Sequence, residues 1–278
     1  MHGTHPAVLR TSAEVFAANR ASGGVTLAVG AEGGRTLRRE VHEHGSLRVR
    51  FPNVSAGLLE AVLVNTAGGM TGGDDFSVTL SLGPEANLLA GTAAAEKIYR
   101  STGPDTTVSV TIEAAAGSRC LWLPQETILF DNARLARRID VDLAERASLL
   151  MAEAVVFGRS AMGETVRQGR LTDRWRVRRG GRLIFADSVR LDGAVGDTLA
   201  QPAVAAGAVA IATVLLVPGD EAKVAAVHAL DFGGEVGISA WNGIAVARLC
   251  AREGAALRHD LTALLAALET PMPRLWLQ

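Results

Sequence analysis

Asp74 and Asp75 leave a turn that contains two glycine pairs, in the stretch Asn65-Thr66-Ala67-Gly68-Gly69-Met70-Thr71-Gly72-Gly73-Asp74-Asp75. Glycine pairs mark places where the backbone turns as other residues resist doing, so main-chain geometry aims the two carboxylates. A phosphate-binding loop would need a following Gly-Lys-Ser/Thr and a helix start. Neither follows, and two acids would repel a phosphate. What comes next, Phe76-Ser77-Val78-Thr79-Leu80-Ser81-Leu82, alternates apolar and polar residues with the period of a half-buried strand. The motif is therefore strand, turn, strand, with two acids at the exit. Such acids can serve as weak oxygen ligands for a cation or as acceptors for the turn's own amides.

Other acids sit in comparable settings. Glu96 precedes Lys97, Glu126 follows Pro124-Gln125, and Glu164 ends Gly158-Arg159-Ser160-Ala161-Met162-Gly163-Glu164. A row of weak carboxylate sites can pass a hydrated cation along because each site releases what it binds. Glu126 and Asp131 also make a candidate pair for a glycosidase or other hydrolase on a β scaffold. No cluster of sugar-stacking aromatics accompanies them, and aromatic residues are only 4% of the chain. The six histidines, His2, His5, His42, His44, His228 and His259, are scattered. His42 and His44 would share one strand face and could hold a metal weakly. Without Cys-x-x-Cys, His-x-x-x-His or Glu-x-x-His, the sequence carries no pattern for a tight transition-metal store. Arg174, Arg176, Arg178, Arg179 and Arg182 could meet RNA or an acidic partner, or form a solvated strand face. The lack of interleaved aromatics argues against single-stranded nucleic acid.

The elements that must position these groups are mostly strands. Val108, Val110, Ile112 and Ala114 alternate with polar residues, as do Ile139, Val141 and Leu143 with Asp140 and Asp142. Leu58 to Val64 lacks clean alternation and reads as a strand covered on both faces. Gly180-Gly181 predicts a hairpin between Trp175 to Arg179 and Leu183 to Phe185. No fixed-period repeat is evident. Two helices are expected late. One spans Glu221 to Leu230 behind an Asp220 N-cap. The other runs through Leu257, Leu261, Leu264, Leu265 and Leu268 and is ended by Pro271. Trp241 with Asn242-Gly243 reads as a turn anchored by a core aromatic, and Trp276 as a tether for the C-terminus.

At 278 residues, with no linker-like tract, the chain reads as one domain over 1–278. Its 28 basic and 29 acidic residues nearly cancel, so no global field steers it toward nucleic acid or an anionic membrane. Cys120 and Cys250 lie far apart in apolar surroundings, which predicts buried free thiols in a reducing compartment. The N-terminus lacks the apolar core of a secretory signal. The most apolar window, Ala203 to Val217, is shorter than the roughly 18 residues of a membrane span. The expected location is the cytoplasm.

The glycine-rich stretch resembles the signature of the urease accessory protein family UreD, also called UreH. The likeness extends in order through Thr92-Ala93-Ala94-Ala95-Glu96-Lys97-Ile98-Tyr99-Arg100-Ser101, Trp122-Leu123-Pro124-Gln125-Glu126-Thr127, Phe157 to Glu164, Ser239-Ala240-Trp241-Asn242-Gly243 and Pro273-Arg274-Leu275-Trp276. Met70 and Gly91 are small departures. The resemblance implies a largely β fold with strands stacked in a helix-like arrangement and two helices. It implies a non-enzymatic urease maturation factor that binds apo-urease and joins UreF and the GTPase UreG. Nickel would be cargo in transit, with no tightly bound cofactor. It singles out Asp74, Asp75, Thr92, Glu96, Lys97, Glu126 and Glu164 as passage or motif determinants, Asp74, Lys97, Glu126 and Glu164 foremost.

Overall fold

In the computed structural model, residues 19–52, 57–159 and 162–276 are described. His2, His5, Ser160 and Ala161 lie outside them. The chain is mainly β and winds as a solenoid-like coil between two sheets. From β4 (Leu59–Asn65) it crosses to β5 (Asp75–Leu82), returns to β6 (Asn87–Thr92), and crosses again to β8 (Thr106–Ala114). It continues through β9 (Arg119–Trp122), β11 (Arg134–Leu143), β12 (Ser148–Phe157) and β13 (Gly169–Arg179). Within each sheet the successive rungs pair in parallel: β5 with β8, β8 with β11 and β11 with β13, and likewise β4 with β6, β6 with β9 and β9 with β12. Two short strands, β7 (Glu96–Ile98) and β10 (Thr127–Leu129), pair with each other in parallel on the connecting side, and β10 also pairs with β12.

Antiparallel strands close the stack. β1 (Ser22–Glu32) lies parallel to β5 and antiparallel to β2 (Arg35–Gly45), and β3 (Leu47–Arg50) pairs with β4. At the far end β14 (Arg182–Gly193) folds back on β13, while β15 (Ala210–Val217), β17 (Ile244–Ala251) and β16 (Glu235–Trp241) extend the second sheet. The β13–β14 hairpin turns at Gly180 and Gly181, with φ of +53° and +78°, as a two-residue turn with both centres left-handed requires.

One core fills the space between the sheets, and a second lies on the outer face of the second sheet beneath helices α2 (Glu221–His228) and α3 (Gly254–Ala267). Every residue of β12 after Ser148 is buried for this reason: Leu149, Met151 and Val155 face the inter-sheet core, whereas Leu150, Ala152, Ala154 and Val156 face the helices. The same double cover buries Glu60, Ala61, Val62 and Leu63 of β4 in succession. Asp220 caps α2 by accepting the Lys223 N–H at 3.1 Å.

The structure corrects several sequence readings. The repeat is present as unequal rungs, with second-sheet strands starting at 59, 87, 119 and 148. A short helix, α1 (Val195–Ala200), joins the two expected ones; six residues are too few to show a helical period. Trp241 forms no core anchor. It is 47% exposed, because on edge strand β16 the buried Ile238 faces the helices and the odd positions face solvent. The turn at Asn242-Gly243 is present, with φ of +48° and +77°. Both thiols are free, but Cys250 is only partly buried. The arginines of the β13–β14 hairpin do form a largely solvated face, with Arg174, Arg176 and Arg182 exposed.

Candidate functional site: a buried charge cluster between the two sheets

Alternation decides which groups enter the space between the sheets. On β11 the inward series is Leu135, Arg137, Ile139 and Val141; on β13 it is Leu171, Asp173, Trp175 and Val177; on β12 it includes Met151, Glu153 and Val155. Three charged residues thus occupy positions that the period reserves for apolar ones. Arg137 and Asp173 are register partners across β11 and β13, and Glu153 approaches from the opposite sheet. The Arg137 Nε donates to Asp173 Oδ1 at 3.0 Å, its Nη2 donates to the other Asp173 oxygen, and its Nη1 donates to Glu153 Oε2. The indole of Trp122 donates to Glu153 Oε1 at 2.7 Å, and that of Trp175 to Asp173 Oδ1 at 3.2 Å. Burial lifts the Glu153 carboxyl above its ordinary value against the pull of the Arg137 charge. Arg137 keeps its proton despite burial because both carboxylates flank it.

This triad stands between two cavities. The larger, of about 70 Å³, is walled mainly by apolar side chains such as Leu63, Phe76, Val78 and Ile98, has Asn65, Thr92, Glu96 and Gln125 as polar members, and reaches Arg137 and Glu153. The smaller, of about 20 Å³, begins at the same pair and is lined by Asp173, Trp175 and Thr213. Thr213, the β15 register partner of Glu153, also borders a groove of about 490 Å³ that includes Glu235, Arg248 and Cys250. Arg248 donates to Thr213 Oγ1 at 2.6 Å and to Asp187 Oδ2 at 2.7 Å, a second arginine bridge between the sheets.

Among the residues singled out by sequence, Thr92 and Glu96 line the larger cavity. Thr92 Oγ1 accepts the Gln125 N–H at 2.9 Å and donates to the Ala94 carbonyl at 2.9 Å, which joins the two loops. Glu96 accepts from Asn65 Nδ2 at 3.0 Å; burial raises its carboxyl above the ordinary range, and the Asn65 bond opposes that rise. Asp74 is 3% exposed and lies elsewhere. Its two oxygens accept the Ala21 and Thr71 amides at 2.9 and 2.8 Å, locking the glycine turn to the start of β1. Asp75 and Lys97 are exposed, and Asp75 accepts from the Thr107 hydroxyl. Glu126 pairs with Arg258 at 3.0 Å, and Glu164 with Arg159 at 2.8 Å. Within the turn itself Gly69 has φ +152°, and a Cβ there would lie 2.4 Å from the Tyr99 ring. Among the described residues no group of three or more His, Cys, Asp and Glu could hold a metal. His42 and His44 sit exposed on β2, with His42 beside Glu40 at 2.7 Å.

The profile of the family described as "UreD urease accessory protein" matches residues 21–277. The chain belongs to the UreD family. It is 58% identical over 266 residues to "Urease accessory protein UreD" of Rhodopseudomonas palustris, covering 95% of each chain. It is also 54% identical to "Urease accessory protein UreD 3" of a Bradyrhizobium species, covering 96% of this chain and 97% of that one. With "Urease accessory protein UreD" of Bradyrhizobium diazoefficiens the identity is 53%, over 97% and 98%.

Membership in UreD accounts for the loops and leaves the interior triad to be explained. The motifs mark loop corners, whereas Arg137, Glu153 and Asp173 lie on regular strands where no turn residue draws attention. The signal that finds them is a charge in phase with Leu135 and Ile139, or with Leu171 and Trp175. The pair proposed for hydrolysis, Glu126 and Asp131, is committed elsewhere. Glu126 is held by Arg258, and Asp131 Oδ1 accepts the Arg167 and Gln168 amides at 2.8 and 3.0 Å. Burial works against the Asp131 charge, but those amides and Arg167 hold its carboxyl below the ordinary value, the wrong direction for a general acid.

Proposed function

We propose that this protein is a non-enzymatic scaffold in urease maturation, one domain that docks apo-urease together with UreF and the GTPase UreG, and that nickel crosses its interior on the way to urease. The observation that carries the reading is the cavity series, which runs from Asn65, Thr92, Glu96 and Gln125 through the Arg137–Glu153 pair to the groove at Thr213. Its oxygen donors are sparse, so nickel would be held weakly at each step and released. Glu96 and Thr92 are the passage residues at the entrance, while Asp74, Glu126 and Glu164 hold the loops that frame it. Asp75 and Lys97 are exposed and belong to the docking surface. Free Cys120 and Cys250, and the lack among the described residues of a helix long and apolar enough to cross a membrane, support work in the cytoplasm.

The test is maturation of urease by chains carrying Glu96→Gln or the lumen-filling Val110→Phe, with nickel content of urease measured beside a pull-down of the complex. Lower nickel loading with an intact complex is expected. Full loading by both variants would remove the interior from the route, and failure of the wild-type chain to promote loading would remove the maturation role itself.

A further inference from the structure

A route for cations that contains a buried arginine presents a contradiction. The Arg137 guanidinium lies where the larger and smaller cavities meet, and a divalent ion passing between them would encounter a like charge in a medium of low dielectric. Five nitrogen-to-oxygen bonds of the triad end on the two carboxylates: three run from this one guanidinium, and the indoles of Trp122 and Trp175 supply the other two. The bridge joins opposite sheets at the point where the two cavities meet. Thr127 Oγ1 on the larger-cavity side already accepts from Nη1 at 3.3 Å, a neutral partner that the guanidinium would retain on leaving the carboxylates.

We infer that Arg137 is a tethered cation that closes the interior by occupying the two carboxylates, Glu153 and Asp173, that a divalent ion must use to cross. The inference rests on reading the interior as the nickel route. Exchange is electrostatically matched: when the guanidinium swings toward Thr127 and the larger cavity, the two carboxylates are released together, and an incoming divalent ion replaces one charge with two. The closed state then admits no divalent ion, whereas an equally polar interior without the arginine would retain one. Arg137 is accordingly a positioning and selectivity residue, and Glu153 and Asp173 are the pair it keeps vacant.

The experiment uses the full-length chain and nickel ions alone, followed by equilibrium dialysis, with circular dichroism as the check on folding. Arg137→Gln should gain one nickel ion per chain, bound at least about tenfold more tightly than by the wild type, and the added Glu153→Gln change should abolish the gain. Arg137→Lys, which keeps a cation at the bridge, should show no gain. A folded Arg137→Gln chain that binds nickel as the wild type does would overturn the inference. Should Arg137→Gln not fold, the neutral replacement Arg137→Met, Glu153→Met, Asp173→Asn provides the second arm, since exchanging a buried ion cluster for neutral groups of like volume is commonly tolerated. That chain should assemble with its partners and load urease poorly. Wild-type loading by it would overturn the exchange step. Normal loading in the wild type alongside an unchanged nickel affinity in Arg137→Gln separates failure of this inference from failure of the maturation role.

Discussion

Arg258 and Glu126 meet at 3.0 Å across the outer face of the second sheet, and the same guanidinium lies 5.3 Å from the centre of the Trp276 ring. Its Nη2 also donates to Gln125 Oε1 at 2.7 Å. One side chain of α3 thereby holds the Pro124-Gln125-Glu126 loop and the C-terminal segment together. Arg258→Ala should lower stability by about 1 to 2 kcal/mol, the scale of partly exposed charge-assisted bonds plus lost stacking cover. Arg258→Lys should recover only part of it, because an ammonium cannot reproduce the planar fork. Urea unfolding of the three chains measures both values.

Trp276 is buried against the outer core, so Trp276→Ala should cost about 3 to 5 kcal/mol, as for other large aromatic truncations. Its indole N–H has no acceptor among the described residues. Trp276→Phe, which drops that N–H and keeps most of the ring, should cost far less. Equal losses for the two variants in thermal melts would show that burial of the ring is not what holds the tail.

Asp74→Asn keeps the shape of the side chain but replaces one acceptor with a donor. One of the Ala21 and Thr71 amides must then face an N–H, at a cost of about 1 to 3 kcal/mol. The loss should appear as lower unfolding stability and as faster hydrogen exchange at Ala21 and Thr71.

Glu96 gives a prediction with a definite sign in pH. Its folded-state pKa lies above the ordinary value, chiefly through burial, with the Asn65 bond opposing. The folded chain therefore holds this proton more firmly than the unfolded chain does, and the associated stability is present in acid and is lost as pH rises through the folded value. Glu96→Gln should melt close to the wild type near pH 4.5 and progressively higher than it as pH rises toward about 7. A difference in melting temperature that stayed constant with pH would mean that the carboxyl is not desolvated.

Much of the fold was legible because the periods are clean. Phe76 to Leu82, Ile139 to Leu143 and the Gly180-Gly181 turn are where alternation and glycine placed them, and the leucines of α3 follow the helical period into the outer core. The coil itself was not legible, since its rungs differ in length and share geometry without sharing residues. Trp241 misled because a large aromatic next to a turn resembles an anchor, whereas an edge strand leaves one of its faces to solvent. The site was legible only at its rim. Glycine and proline advertise corners, so Thr92, Glu96 and Glu126 stood out, while the groups facing one another across the core sit on three separate strands and become neighbours only when the sheets close.

The antiparallel closure of the coil also bears on self-association. A stack of parallel rungs offers at each end a row of unpaired amides and carbonyls on which another chain could continue the sheet. Here β2 covers that row in the first sheet and presents Arg35, Arg38, Arg39, Glu40 and Glu43 to solvent, a strand too charged and too exposed to be a good template. The hairpin of β1 and β2 thus acts as a terminator of growth. A chain that lost it would also lose Val25, Leu27 and Val29 from the inter-sheet core and would expose the edge of β5, where two such chains could pair; the far end, closed by β14, would keep that pairing from growing further.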